Sequence, residues 1–204
     1  RDLHSFPTRR SSDLNRLIQT ALLAALCFVT FTFLQIKIPV PGGDATSIHF
    51  GNVFLVLAAL LIGGFWGGMA GAIGMTLADI MDPIYIVVAP KTFILKLCIG
   101  IIVGIISHKI GKISESDDKK HIFRWALTGA VAAMLFNVVA DPTVGYLYKI
   151  FVLGQPESAA IILAKLNAGV TFLNTVTTVI IAVTVYMMVR PVLERSEMLI
   201  KPKK

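Results

Sequence analysis

Charge is what this sequence has least of. Asp, Glu, Lys and Arg make up 15% of its 204 residues, where a water-soluble domain carries about a quarter. The shortage is uneven, because long uncharged runs alternate with short charged segments. That pattern excludes a disordered chain, a nucleic-acid module and an ordinary soluble enzyme. Cysteine is also scarce. Cys27 and Cys98 are the two present, each inside an apolar run and neither in a CxxC or Cys/His arrangement. A disulfide framework and a zinc site of that type are therefore excluded, and both read as small core residues. The phosphate-cradling GxxxxGK[ST] loop, HExxH and GxSxG are missing as well. Ser107 and His108 are adjacent, but neighbours on a helix point in different directions, and a nucleophile needs its base within reach. Asp79 and Asp82 lie beside Pro83 and read as turn formers or caps rather than metal ligands. No catalytic constellation remains, so the chain is not expected to be an enzyme.

What is present is apolar residues, 55% of the chain, in lengths that match a bilayer. A membrane helix needs about 20 mostly apolar residues. Residues 17–36 form one such run. Residues 45–78 are too long for one helix, and GGFWGG at 63–68 breaks them into two. Residues 92–107 (apart from Lys96), 125–148 (apart from Asp141) and 166–189 supply the rest. The expectation is an all-α, polytopic membrane protein with six spans and both termini inside. Residues 38–47, 79–90, 109–124 and 149–157 are read as connections. The organisation expected is a foreign, adapter-derived segment at 1–14 (RDLHSFPTRRSSDL), a six-helix membrane domain at 15–190 and a basic cytoplasmic tail at 191–204.

The net charge of +7 belongs to topology. Lysines and arginines concentrate in 109–124 and in the tail, which places both on the cytoplasmic side. Lys37, Lys91 and Lys149 are read as sparse cations at the outer ends.

Polar side chains at membrane depth are costly and face the bundle interior. Asn137 and Asp141 are four apart and share a face. Asn167, Thr171 and Asn174 form one stripe. Lys96 lies about one and a half turns into span four, and His49 and Asn52 lie in the outer first turn of span two. With Tyr85 and Tyr146, these residues read as an outward-facing pocket for a small polar solute, with Lys96 pairing Asp141. Taken singly, each amide also reads as interhelical glue. Small residues recur at four-residue spacing: Ala21 and Ala25, Gly67 and Gly71, Gly100 and Gly104. Such faces let helices approach closely; Ala21 and Ala25 read either as packing or as a docking face for a partner.

SIHFGNVFLVLAALLIGGFWGGMAGAIGMTLADI (47–80), followed by APKTFILKLCIGIIVG (89–104), resembles the substrate-binding S components of energy-coupling factor (ECF) vitamin transporters, in the branch of riboflavin, pyrimidine and pyridoxine carriers. The resemblance covers about residues 15–190, with spans five and six alike only in general character. It implies a vitamin bound near the outer face beneath the loop after span one. It implies docking through Ala21 and Ala25 to a transmembrane coupling protein carried by two cytosolic ATPases. ATP hydrolysis by those partners topples the S component and carries the solute inward, so this chain holds no cofactor of its own. It also implies a bacterial plasma-membrane location. A self-sufficient secondary transporter and an intramembrane enzyme are the alternatives.

Overall fold

The computed structural model describes residues 8–40 and 44–196. Its elements in chain order are α1 (Thr8–Phe33), β1 (Gln35–Val40), β2 (Asp44–His49), α2 (Gly51–Ile62), α3 (Gly64–Ile80), α4 (Ala89–Gly104), α5 (Lys119–Phe151) and α6 (Glu157–Arg195). Of the segment set apart at 1–14, residues 1–7 lie outside this description, and α1 begins at Thr8. Of the tail, residues 197–204 lie outside it too.

The helical membrane class holds, but the helices are unequal. Among the described residues, four stretches are each long and apolar enough to cross a membrane: Leu14–Phe33, Ile86–Ile110, Lys119–Phe151 and Glu157–Arg195. The 12 residues of α2 reach only about 18 Å at 1.5 Å per residue, against a hydrocarbon core of about 30 Å. The six expected spans thus become four long helices and two shorter ones. Eleven of the 12 residues of α2 are buried. A helix apolar on all sides sits in the centre of a bundle, and α2 packs on α1, α3, α4 and α6. The break between α2 and α3 is a single residue, Gly63, at φ 93°, a conformation that side chains resist.

Small-residue stripes set how close the helices come. A Cβ added at Gly100 would overlap the Cα of Gly68, and one at Gly104 would overlap that of Gly64. α3 and α4 therefore touch backbone to backbone along two turns. Gly67 meets Ala59 of α2 in the same way, and Gly74 meets the carbonyl of Ala24 on α1. Ala24 is buried, whereas Ala21 and Ala25 face outward.

The connection read at 109–124 is partly structured. After α4 the chain continues without a break as a π-helical turn, Ile105–Ile110. His108 Nε2 donates to the Ala59 carbonyl (3.0 Å), which leaves Nδ1 to accept from the Ser114 hydroxyl (2.7 Å). Ser107 donates elsewhere, to the Trp125 carbonyl (3.1 Å), so Ser107 and His108 are not a pair. α5 then starts at Lys119 and runs into the connection expected at 149–157, ending at Phe151. Arg190 on α6 is buried and donates to the Ser116 carbonyl (3.1 Å) and the Tyr186 hydroxyl (3.2 Å), tying α6 to this end of the bundle.

Gly100→Ala is expected to destabilise the protein by about 1–3 kcal/mol, because the new methyl meets fixed backbone. Gly169→Ala, with nothing within 4 Å of the added atom, is expected to shift stability by no more than about 0.5 kcal/mol. Thermal unfolding of both purified variants in the same detergent checks the contrast.

Candidate functional site

At the end of the bundle opposite Arg190, the segment at 38–47 is not an irregular loop. It forms most of an antiparallel hairpin in which Gln35 pairs with His49 and Val40 with Asp44. His49 accordingly belongs to β2, not to the first turn of α2. The hairpin lies over the ends of the helices and is held on two sides. On the α6 side, Asn174 accepts from the His49 amide (3.1 Å) and donates to the Ser47 carbonyl (3.0 Å). Thr46 donates to Asn167 Oδ1 (2.8 Å). On the other side, Lys37 forms an ion pair with Asp82, and its ammonium sits 5.5 Å from the centroid of the Tyr85 ring. Asp82 also accepts from the Ile84 amide (3.1 Å), so it does shape the turn as its sequence context indicated.

Beneath the hairpin is a cavity, open at its mouth, with about 110 Å³ of internal space for water-sized groups. It brings together His49 from β2, Asn52 from α2, Tyr85 and Lys96 from the α4 side, Asn137, Asp141 and Tyr146 from α5, and Asn167 and Asn174 from α6. All nine sequence-selected residues line this one space. Their roles in the architecture differ. Asn174 spends its amide on the backbone of β2. Asn167 links the hairpin to Asp141, donating through Nδ2 to Asp141 Oδ2. Tyr146 stands near the mouth and donates to Glu157 (3.1 Å). Asn52 and Asn137 are each 1% exposed, and each has a side-chain oxygen with no hydrogen-bond partner within the protein. Buried polar atoms are seldom left this way outside functional sites. His49 packs edge-on against the Phe31 ring (4.6 Å). Burial foremost, aided by the Lys96 charge, lowers its imidazole pKa to about 3, so it is neutral at physiological pH.

The expected Lys96–Asp141 pair is corrected. Lys91 reaches Asp141 Oδ1 at 2.8 Å, because it opens the first turn of α4 directly opposite Asp141. Lys96 lies one turn deeper, buried, and its charge also lines the cavity. Lys149, read as an outer-end cation, is buried in the cavity wall. The signal was present in the spacing: Asn137, Asp141, Gly145 and Lys149 form one i, i+4 row, and all four line the cavity. Thr92 and Lys96 form a similar pair on α4. Asp79 at the end of α3 also lines the wall, 2% exposed. Among the described residues no group of three or more His, Cys, Asp or Glu is placed to hold a metal.

Asn174→Ala removes two bonds to β2, each worth about 0.5–1.5 kcal/mol. It is expected to speed amide hydrogen exchange in residues 44–49 by about tenfold while α2 stays protected. Exchange measured by mass spectrometry on the detergent-solubilised chain checks this.

The family of ECF-type riboflavin transporter S components matches residues 12–191 of the chain. The fold is also that of solved S components. It superposes on the S component for biotin from an ECF-type ABC transporter with a TM-score of 0.56 at 18% identity, covering 86% of this chain and 93% of that one. It superposes on ThiT from Listeria monocytogenes with a TM-score of 0.55 at 15% identity, covering 93% and 99%. A Pyrococcus woesei protein described as an uncharacterized protein in a gap 3'region is 37% identical over 76 residues, 37% of this chain. The match spans about half, 49%, of that relative. The hairpin-roofed polar cavity thus sits in a helical membrane scaffold shared with vitamin-binding transport subunits, and the chain is a member of the ECF-type riboflavin transporter S-component family.

Proposed function

We propose that this multi-pass protein captures a small water-soluble vitamin or precursor beneath the hairpin and delivers it to an energising complex. Candidate ligands are riboflavin, pyridoxine and hydroxymethylpyrimidine-like compounds. The observation that carries the reading is the cavity itself: buried amides and charges, some with unspent hydrogen-bonding atoms, gathered under a β-roof in an otherwise apolar bundle. Lys96, Asn52 and Asn137 contact the ligand. Asn167 and Asn174 act mainly by holding the roof, while His49, Tyr85, Asp141 and Tyr146 complete the walls.

The chain lacks a phosphate loop, so the reading requires partners: a transmembrane coupling protein and two cytosolic ATPases that consume ATP. Ala21 and Ala25 are the docking face. They lie exposed on α1, beside Ile18 and Leu22 at 56% and 63% exposure, and small residues there let a partner helix approach closely. The domain spans residues 15–190 in a bacterial plasma membrane, with 191–204 as a basic cytoplasmic tail and 1–14 set apart.

Lys96→Ala and Asn137→Ala are each expected to weaken ligand binding by about tenfold or more, the scale of a lost buried polar contact. Ala21→Leu and Ala25→Leu are expected to leave binding intact and block uptake by the assembled complex. Mass spectrometry of the ligand retained on the purified chain identifies it, and titration with that compound checks the variants. Unchanged affinity in both cavity variants overturns the site, and uptake driven by an ion gradient in vesicles holding this chain alone overturns the subunit role.

A further inference from the structure

The space beneath the roof is small. It offers about 110 Å³ to water-sized groups, whereas an engineered cavity of about 150 Å³ in another protein takes up a single benzene. One aromatic ring therefore fills the enclosed part, and its substituents reach toward the mouth. A three-ring flavin carries several times as many heavy atoms as benzene. Making room for it means lifting the hairpin, which Asn174 holds through two bonds to β2 and Asn167 through the Thr46 hydroxyl. Breaking such bonds in a shielded site leaves polar groups without partners, at the cost of their desolvation.

The walls suit a flat ring with polar edges. Phe31, Ile84, Val88 and Pro142 supply apolar surface, on which the faces of a ring are withdrawn from water. The polar positions are deep. Asn52, Asn137 and Asp79 are 1%, 1% and 2% exposed, and Asn52 Oδ1, Asn137 Oδ1 and Asp79 Oδ2 each lack a hydrogen-bond partner within the protein. Amide and carboxylate oxygens accept hydrogen bonds, so these three call for N–H or O–H groups on the ligand. They come from α2, α5 and α3, which distributes the donors around the edge of the ring. Lys96, 6% exposed on α4, can only donate and calls for an acceptor such as a ring nitrogen.

We propose that the ligand is a single-ring nitrogen heterocycle, a pyridine or pyrimidine bearing amino or hydroxyl groups, and not a three-ring flavin. This inference rests on the reading of the cavity as the vitamin site, and it removes riboflavin from the candidates.

The test uses the full chain in detergent and isothermal titration. The single-ring probes are pyridoxine and 4-amino-5-hydroxymethyl-2-methylpyrimidine. The three-ring probes are riboflavin and lumichrome, the second of which has the fused rings without the polyol chain. At least one single-ring probe is expected to bind about tenfold or more tightly than either three-ring probe. Removing a donor without adding bulk is expected to weaken that binding by about fivefold or more. The analogues are 4-deoxypyridoxine for pyridoxine, and the pyrimidine with methyl in place of its amino group. Asn52→Leu, which keeps about the same volume and removes an acceptor, is expected to weaken the bound probe by about tenfold. Circular dichroism at matched temperature confirms that this variant keeps its helices, and the titrations of the unaltered chain stand without it. Equal or tighter binding of riboflavin or lumichrome, or equal binding of the analogue lacking the donor, overturns the inference and leaves the transport reading standing. Binding by none of the probes, with no ligand retained on the purified chain, overturns both.

Discussion

Asp141 places a carboxylate inside an otherwise apolar bundle, and much of the hairpin-covered end of the molecule is organised around keeping it solvated by protein. Lys91 supplies charge from α4, and Asn167 supplies a donor from α6. Asn167 in turn accepts from Thr46, so the chain of contacts ends on the hairpin. Four elements are thus fixed to one another through a single buried charge. Removing one partner of such a pair leaves an uncompensated ion, typically at a cost of about 3–5 kcal/mol. The same arrangement fixes the register of the roof over the cavity.

This polar end depends on an inner scaffold that does not give. The close crossing of α3 and α4, backbone against backbone at Gly64, Gly68, Gly100 and Gly104, leaves no room for side chains to rearrange there. α2 is enclosed nearly all round, so Asn52 at its outer end is positioned by packing of the whole helix rather than by its own contacts. His108 and Arg190 secure the other end through carbonyls of α2 and of the α4–α5 connection. The cavity therefore opens where glycine contacts stop and polar side chains begin.

Much of this was legible in the sequence, and what was hidden has physical causes. The helical class, the break at Gly63 and the convergence of nine polar residues follow from uncharged runs and from helical spacing. The hairpin was concealed because Pro39 and a Gly-Gly pair interrupt it, and those residues signal a loop as readily as a turn between strands. α2 and α3 were legible as two short helices, but how fully α2 is enclosed was not, because burial by protein looks the same in hydropathy as burial by lipid. Lys91 and Lys149 were assigned to topology because a lysine near a helix end can reach water; only the three-dimensional closure of the roof turns those ends into cavity walls. The choice of Lys91 over Lys96 as partner for Asp141 depends on how α4 and α5 are staggered, which no single helix encodes.

The two sides of the roof are not equivalent, and this bears on how a solute reaches the space beneath it. Toward α6 the hairpin is held by the amide of Asn174 on the strand backbone and by Thr46 on Asn167, bonds that are largely shielded from water. Toward the α3–α4 connection it is held by Lys37 and Asp82, with the lysine side chain 39% exposed. An ion pair that wet contributes about 0–1 kcal/mol, and less as salt rises. A second hollow, lined by Phe31, Gln35, Lys37 and Met81 among others, runs along this same seam, so little apolar packing reinforces it. The roof is thus anchored by α6 and only latched at Asp82.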